Sequence, residues 1–237
     1  MSKIIPLKHA SNRAGVTAKA PVSSLPSSSI PPDVRDRLSP VVLNVYSTGD
    51  FHRADMRSIA KDAGMSFNTI YRYFGDKESL LFWFINDWLH ELYPYAVAPL
   101  LEESSIATGM LESLRRHFMF YEKHPKVGRI IFLTVPLERW MRDETYHQHA
   151  VMKTFIRAIT AGQERGELRA DVTPLAILDS IAGMLNRTFV MWEYRRRKYS
   201  LVGKTEEVFS IIWGGVGTPA KNRKPAKRRT TDAPGSN

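Results

Sequence analysis

The fold is decided by the stretch Asp55-Met-Arg-Ser-Ile-Ala-Lys-Asp-Ala-Gly-Met-Ser-Phe-Asn-Thr-Ile-Tyr-Arg-Tyr-Phe-Gly-Asp-Lys-Glu-Ser-Leu-Leu81, which predicts two short helices, a tight turn between them and the start of a third helix. Asp55 and Ser66 are placed to cap the first two helices, because their side-chain oxygens can accept hydrogen bonds from unpaired first-turn N–H groups. Gly64 can adopt the left-handed backbone conformation that ends a helix. This order of elements is typical of a DNA-binding helix-turn-helix.

The second helix of this motif has two faces. Ile70 and Phe74 lie one turn apart and predict an apolar face directed at a core. The outward face carries groups that can bond base edges, touch a thymine methyl group or reach phosphates: Phe67, Asn68, Thr69, Tyr71 and Arg72. Asp76 can cap a third helix, which leaves Lys77 in its first turn beside the phosphate backbone of bound DNA.

At these residues the chain resembles the TetR/AcrR family of bacterial transcriptional regulators. The similarity runs from Met56 to Ser66, through Thr69 to Phe74, and over Asp76 to Leu80. It implies an all-α fold, in which an N-terminal three-helix helix-turn-helix DNA-binding domain precedes a C-terminal helical domain for ligand binding and dimerisation. The DNA-binding residues that we expect are Arg57, Ser66, Phe67, Asn68, Thr69, Tyr71, Arg72, Tyr73 and Lys77.

The aromatic residues of the motif have a second interpretation, which is core packing. Phe74 fits that interpretation best, and it stays open for Tyr71 and Tyr73. Phe67 departs from the family, which more often has a small or basic residue at this position. The base preference of family members therefore does not carry over to this chain.

Composition limits the possible classes of protein. The 237 residues, 43% of them hydrophobic, are enough for one DNA-binding module and one larger helical domain. The chain has no cysteine, which excludes disulfides, thiolate zinc sites and cysteine nucleophiles. Its apolar runs are too short to span a bilayer, and the N-terminus lacks an apolar signal-peptide core. We therefore expect a cytoplasmic protein with no membrane partner.

The positive charge is concentrated in two tails. Of the net charge of +10, residues 1–32 carry +4 and residues 217–237 carry +5, which leaves +1 for the part between them. Residues 1–32 are rich in Ser, Pro and Ala, and both tails are predicted to be disordered. Such tails can add salt-sensitive attraction to phosphates by counterion release. The alternative is that they only keep the protein soluble.

The predicted organisation is a basic tail over 1–32, the helix-turn-helix domain over 33–80, the helical domain over 81–216 and a second tail over 217–237. The first helix is expected to begin at Pro40, capped by Ser39, after a short helical arm. A long helix from Lys77 is expected to kink near Tyr93 or to end early, because Pro94 and Pro99 interrupt it. Further helices are expected at about 106–123, 126–134, 137–141, 145–163, 174–198 and 205–213.

The family resemblance also implies a dimer. Its interface would be formed by the two helices that flank a turn at Gly166, as a four-helix bundle between subunits. The candidate interface residues are Phe155, Ile159, Ile181, Leu185 and Phe189. The alternative is that these apolar side chains belong to the core of one chain.

The family resemblance further implies a ligand pocket between the long helix and the dimer helices. The candidate lining residues are aromatic, and each of them has core packing as its alternative: Trp83, Trp88, Phe118, Tyr121, Phe132, Trp140, Tyr146 and Phe155. His117 and Arg187 are candidates to orient a polar group of the ligand. The sequence indicates no cofactor and no metal-ligand cluster.

Two functions are compatible with these features. The first is a sequence-specific transcriptional regulator, which represses from a palindromic operator of double-stranded DNA and is released by a small, largely apolar ligand. The second is an architectural DNA-binding protein in which the basic tails dominate. An enzyme is not expected, because the sequence contains no Gly-rich phosphate loop, no Gly-x-Ser-x-Gly motif and no evident catalytic pair.

Overall fold

The computed structural model describes residues 30–103, 105–143 and 149–218, so most of both tails, as well as Tyr146, lie outside the described residues. Ten α-helices occur in this part of the chain: α1 Pro32–Tyr46, α2 Met56–Asp62, α3 Phe67–Phe74, α4 Lys77–Glu102, α5 Ile106–Lys123, α6 Pro125–Arg129, α7 Leu137–Arg142, α8 His149–Glu164, α9 Pro174–Tyr194 and α10 Thr205–Val216. The expected all-α fold is confirmed: apart from one isolated bridge between Leu168 and Gly217, the described residues contain no β-structure.

The N-terminal domain consists of α1, α2, α3 and the first turns of α4. Helix α1 buries Val34, Leu38, Val42 and Tyr46 along one face, at the four-residue spacing that keeps side chains on the same side of a helix. The Tyr46 hydroxyl donates a hydrogen bond to the carbonyl of Lys77 at 2.8 Å. Helix α1 is thereby attached to the start of α4.

Helix α1 differs from the expectation of an arm followed by a helix from Pro40. It is one continuous helix that begins at Pro32, and Ile30 just before it is buried in the core, so the N-terminal domain begins slightly earlier than expected. Pro40 is tolerated because it lies on the exposed face, where water can satisfy the carbonyl that loses its partner. Ser39 is therefore an internal helix residue and not a cap.

Helix α4 continues through Pro94 and Pro99 over 26 residues, so the expected early end is wrong, and the alternative expectation of a kink near Tyr93 stays a prediction. Pro99 has no N–H group and cannot bond the carbonyl of Tyr95 four residues earlier. The guanidinium of Arg116, from α5, donates to that carbonyl at 2.8 Å and lies 4.6 Å from the Tyr95 ring centre. A side chain of the neighbouring helix thus replaces the lost backbone bond.

The C-terminal domain is a bundle in which α4 leads away from the N-terminal domain and α5 returns. The far end is closed by Glu167, in the turn after α8, whose carboxylate accepts from Ile106 N at 3.0 Å and from Ser105 Oγ at 3.1 Å. The turn itself has the expected left-handed glycine, Gly166 with a φ of 73°. Helix α9 begins after Thr173, which caps it, and runs back toward the N-terminal domain.

Between α6 and α7 the chain forms one π-helical turn, Ile130–Thr134. The sequence predicted an ordinary helix across this segment. Such wider turns are rare and often occur at functional sites. None of the described helices has the combined length and apolarity needed to cross a bilayer.

Candidate DNA-binding surface and ligand cavity

Three predicted caps hold the helix-turn-helix in place. Asp55 accepts a hydrogen bond from Ser58 N at 3.0 Å, Ser66 accepts from Thr69 N at 3.1 Å, and Asp76 accepts from Ser79 N at 2.8 Å. Gly64 and Gly75 have the left-handed φ values of 61° and 75° at which α2 and α3 end. The hydrogen bonds from Ser58 hold the pKa of Asp55 below its usual range, so this cap is charged at neutral pH.

The outward face of α3 presents several of the expected DNA-binding residues to solvent. Asn68, Tyr71 and Arg72 are exposed, as is Arg57 on α2. The Phe67 ring is half-buried, stacks on Tyr71 at 5.6 Å between ring centres, and lies 5.2 Å from the Arg57 guanidinium carbon. The two stacked rings form an aromatic ridge on this surface, beside the Arg57 guanidinium.

The other members of the set have more internal contacts. The Thr69 hydroxyl bonds the cap residue Ser66 at 2.8 Å. Tyr73 is half-buried beneath the Arg72 guanidinium, whose carbon lies 5.4 Å from the ring centre. Phe74 is buried in the core, as its alternative interpretation proposed.

Lys77 differs from the expectation that its ammonium faces phosphate. Its Nζ donates to the carbonyls of Phe51, His52 and Ala54 at 3.2, 2.9 and 3.2 Å, and lies 5.0 Å from the Phe51 ring centre. An ammonium group has three N–H donors, and all three are directed at the protein here. The geometry makes Lys77 the residue that closes the turn Phe51–Arg53.

Two arginines of α1 stabilise the domain in a way that sequence spacing did not reveal. Arg37 donates to the carbonyls of Ala63 and Gly64 and so closes the end of α2. Arg35 donates to Asp87 of α4 at 2.8 Å. These contacts join residues 26 and 52 positions apart, a distance over which a single sequence carries no pairing signal.

A cavity of about 310 Å³ lies inside the C-terminal domain, between α4, α5, the π-helical turn, α7, α8, α9 and α10. Its wall is mainly aliphatic and aromatic. Four of the eight predicted lining residues belong to it: Tyr121, Phe132, Trp140 and Phe155. A volume of this size is within the range of small-molecule sites.

Three of the remaining pocket predictions are wrong. Trp83 packs edge-on against Phe74 and Phe84, with ring centres 5.9 and 4.9 Å apart, and so belongs to the joint between the two domains. Trp88 packs on the same Phe84 ring at 5.7 Å. Phe118 is fully buried core. The fourth, Tyr146, lies outside the described residues.

A polar stripe crosses the otherwise apolar wall of the cavity. Ser113, His117 and Tyr121 follow one another at four-residue spacing on α5, and all three line the cavity. His117 Nδ1 lies 2.8 Å from the carbonyl of Ser113, which can only accept, so Nδ1 carries the proton. Burial lowers the pKa of His117, so the ring is neutral at pH 7 and its Nε2 is an acceptor.

The cavity wall has an acidic residue, Asp179, but no lysine or arginine among its described residues. Asn186 adds an amide. Arg187, a candidate to orient a ligand, is exposed and is not part of the wall. The wall therefore favours a ligand whose buried part is neutral.

The expected dimer residues face the interior of the chain. Phe155, Ile159, Ile181 and Leu185 line the cavity. Phe189 is 0% exposed and packs against Tyr121 and Phe132 at 5.6 and 5.2 Å between ring centres. Because Phe189 has no exposed surface, its assignment to an interface is wrong; the other four line the cavity, and their contact with a second subunit stays a prediction.

The π-helical turn and the last residue of α6 together connect the cavity with the N-terminal domain. Ile131 and Phe132 line the cavity. Just before them, Arg129 donates from Nε to the carbonyl of Ser47, at the end of α1, at 2.9 Å. Its Nη1 also lies 2.9 Å from Glu193 Oε2, on a carboxylate that is only 5% exposed. One short segment thus touches the cavity, α1 and α9.

Comparison with known proteins agrees with this architecture. The family model for bacterial regulatory proteins of the tetR family matches residues 43–82. The fatty acid metabolism regulator protein of Bacillus subtilis (strain 168) is 20% identical over 178 residues, which cover 73% of this chain and 91% of that protein.

Two solved structures have the same fold. The fatty acid degradation regulator FadR from Bacillus halodurans superimposes with a TM-score of 0.68 at 19% identity, covering 78% of this chain and 97% of FadR. FadR from Bacillus subtilis in complex with stearoyl-CoA gives a TM-score of 0.64 at 18% identity, covering 76% and 98%. The helix-turn-helix over residues 43–82 therefore matches the tetR family of bacterial regulatory proteins, and both domains share the fold of these solved regulators.

Proposed function

We propose that the protein is a homodimeric repressor that binds an inverted repeat in double-stranded DNA and leaves it when a largely apolar ligand enters the cavity. The observation that carries this proposal is the position of residues 129–134, because Phe132 of the π-helical turn lines the cavity and Arg129, the last residue of α6, bonds the end of α1. A change in the shape of the cavity can therefore shift Arg129 and, through its hydrogen bond to Ser47, helix α1 of the DNA-binding domain.

DNA recognition is assigned to the outward face of α3. Arg72 and Asn68 are exposed and can bond base edges, while the ridge of Phe67 and Tyr71 suits contact with thymine methyl groups and sugars. One such helix reads only a few base pairs. Pairing two domains about a two-fold axis doubles the site and makes it an inverted repeat.

The dimer contact is assigned to the outer face of α9. This face carries small or short side chains at Ala176, Ser180 and Gly183, and all three are exposed. A Cβ atom added at Gly183 would meet nothing within 4 Å. A second helix can approach closely along such a face, at the separation of about 8–10 Å found between packed helices.

The proposed ligand is a fatty acyl compound with a neutral hydrogen-bonding group. The apolar wall suits an acyl chain, and the stripe offers the Tyr121 hydroxyl as a donor and His117 Nε2 as an acceptor. The relatives named above regulate fatty acid metabolism, and one of them binds stearoyl-CoA. An acyl thioester fits both conditions, because its carbonyl is neutral and any charged part can remain outside the cavity.

The proposed mechanism is a shift between two conformations. The ligand must bind more tightly to the form in which the two DNA-binding domains no longer match successive major grooves. Arg129 is the coupling residue, because it bonds α1 and α9 at once. We expect Arg129→Met to retain ligand binding and DNA binding while ligand-induced release becomes weaker.

The first experiment is selection of bound sequences from a random duplex pool at near-physiological salt. Enrichment of an inverted repeat, followed by its release on addition of stearoyl-CoA, supports the proposal. Free coenzyme A is the matched control and should release nothing. Binding without an enriched motif, which disappears as salt rises, would instead favour the architectural function dominated by the tails.

A further inference from the structure

A cluster of four basic residues follows α9, outside both the helix-turn-helix and the cavity. Its members are exposed: Arg195, Arg196, Arg197 and Lys198. Arg197 is paired, because its Nε lies 2.6 Å from Glu193 Oε1. Within the described part of the chain, Arg196 and Lys198 have no acidic side chain within ion-pair distance. Two positive charges are therefore available to an outside partner.

The backbone of the cluster is unusual. Arg196 and Arg197 both have a φ of 56°, and they are the non-glycine residues with positive φ in the described structure. Left-handed backbone is unfavourable for a residue with a Cβ atom, and strained positions of this kind concentrate at functional sites. The turn is fixed by bonds from Arg196 N to Glu193 O and from Arg197 N to Trp192 O, both 2.9 Å. Arginine thus stands twice where glycine would be less strained.

The cluster lies at the end of the C-terminal domain that faces the N-terminal domain. The Glu193 carboxylate bonds Arg197 on one side and Arg129 on the other, at 2.6 and 2.9 Å. Arg129 in turn donates to the carbonyl of Ser47, where α1 ends. Two side chains, Glu193 and Arg129, therefore connect the cluster to the helix that supports the helix-turn-helix.

We infer that residues 195–198 form a second DNA-binding surface, which contacts phosphates of the DNA backbone while α3 occupies the major groove. Arginine and lysine bind phosphates without regard to base sequence, and they do so by releasing counterions. At physiological salt such charges act over about 8 Å, so only cations near the DNA take part. We place the cluster within this distance because Glu193 and Arg129 connect it to Ser47 at the end of α1, and the surface adds affinity without changing which bases are read.

The test is the salt dependence of binding to the duplex obtained by selection. The variant Arg196→Asn/Lys198→Gln removes two charges, and asparagine tolerates the left-handed backbone at position 196. It leaves Arg197, Glu193 and Arg129 intact. We expect the slope of log affinity against log salt to fall by about 1–2 for each protomer, with an unchanged base preference in a repeated selection.

The matched control is Arg165→Gln/Arg169→Gln, which removes the same charge near the Gly166 turn. These arginines are paired with Glu167 and Asp171, at the end of the domain far from the DNA. The control should keep the wild-type slope. An unchanged slope in the cluster variant, or an equal loss in both variants, would overturn the inference. So would binding of the wild type to vesicles of anionic phospholipid that the cluster variant loses while its DNA slope stays unchanged.

Discussion

The two domains are built on contacts of very different reach. In the N-terminal domain each cap joins residues three positions apart, as in Asp55 with Ser58 and Ser66 with Thr69. In the C-terminal domain the decisive contacts join distant residues, such as Glu167 with Ile106, 61 positions apart, and Arg129 with Glu193, 64 positions apart. A surface made by local contacts can be predicted from one sequence, whereas a cavity made by distant ones cannot.

The largest effect is expected at the core of the C-terminal domain. Phe189→Ala removes a fully buried ring and should lower the free energy of unfolding by about 3–5 kcal/mol, because the cavity it leaves cannot close completely. Denaturant titration measures this loss. If Phe189 contributed to a dimer interface instead, the loss would depend on protein concentration. Tyr194→Ala, at a residue 79% exposed, is the control and should change stability little.

Lys77 tests the comparison between the domains, because it makes contacts within the N-terminal domain that join residues 23 to 26 positions apart. Lys77→Met keeps the length of the side chain but removes the hydrogen bonds to the carbonyls of Phe51, His52 and Ala54. A hydrogen bond from a charged group contributes about 1.5–3 kcal/mol, so we expect a loss of that size in unfolding free energy. A salt slope of DNA binding that fell while stability stayed unchanged would assign Lys77 to phosphate instead.

The limits of prediction from sequence follow the same division. The caps, the left-handed glycines and the outward face of α3 were predicted because each depends on a few adjacent residues. Trp83 and Trp88 were wrongly assigned to the cavity, because periodicity shows that a face is apolar but not which helix packs against it. The continuity of α4 could not be predicted either, since it depends on Arg116 reaching the carbonyl of Tyr95 from another helix.

Arg72 tests whether the outward face of α3 reads bases. Arg72→Ala should weaken binding to the selected duplex by about 1–3 kcal/mol and relax the preference at one base pair of each half-site. Stability should hardly change, because the side chain is exposed. Competition binding against single-base variants of the duplex measures both quantities. An equal loss of affinity for selected and random DNA would make Arg72 a phosphate contact.

The smallest effect is expected from the buried imidazole of the cavity wall, and it depends on pH. Burial lowers the pKa of His117 below its ordinary value of 6.5, so between the two values the unfolded chain binds more protons than the folded protein. This residue therefore makes stability rise with pH through that window, and the contribution is lost as the pH falls from above 6.5 toward the folded pKa.

His124 has a pKa shifted in the same direction, so the wild type alone does not isolate the effect. The difference in unfolding free energy between wild type and His117→Phe does isolate it, because phenylalanine fills similar space and does not titrate. We expect the variant to gain stability relative to the wild type as the pH drops from 7.5 to about 5.5. If the difference in unfolding free energy stayed constant over this range, His117 would have the same pKa in the folded and unfolded states. Burial in the cavity wall would then not disfavour the charged imidazole.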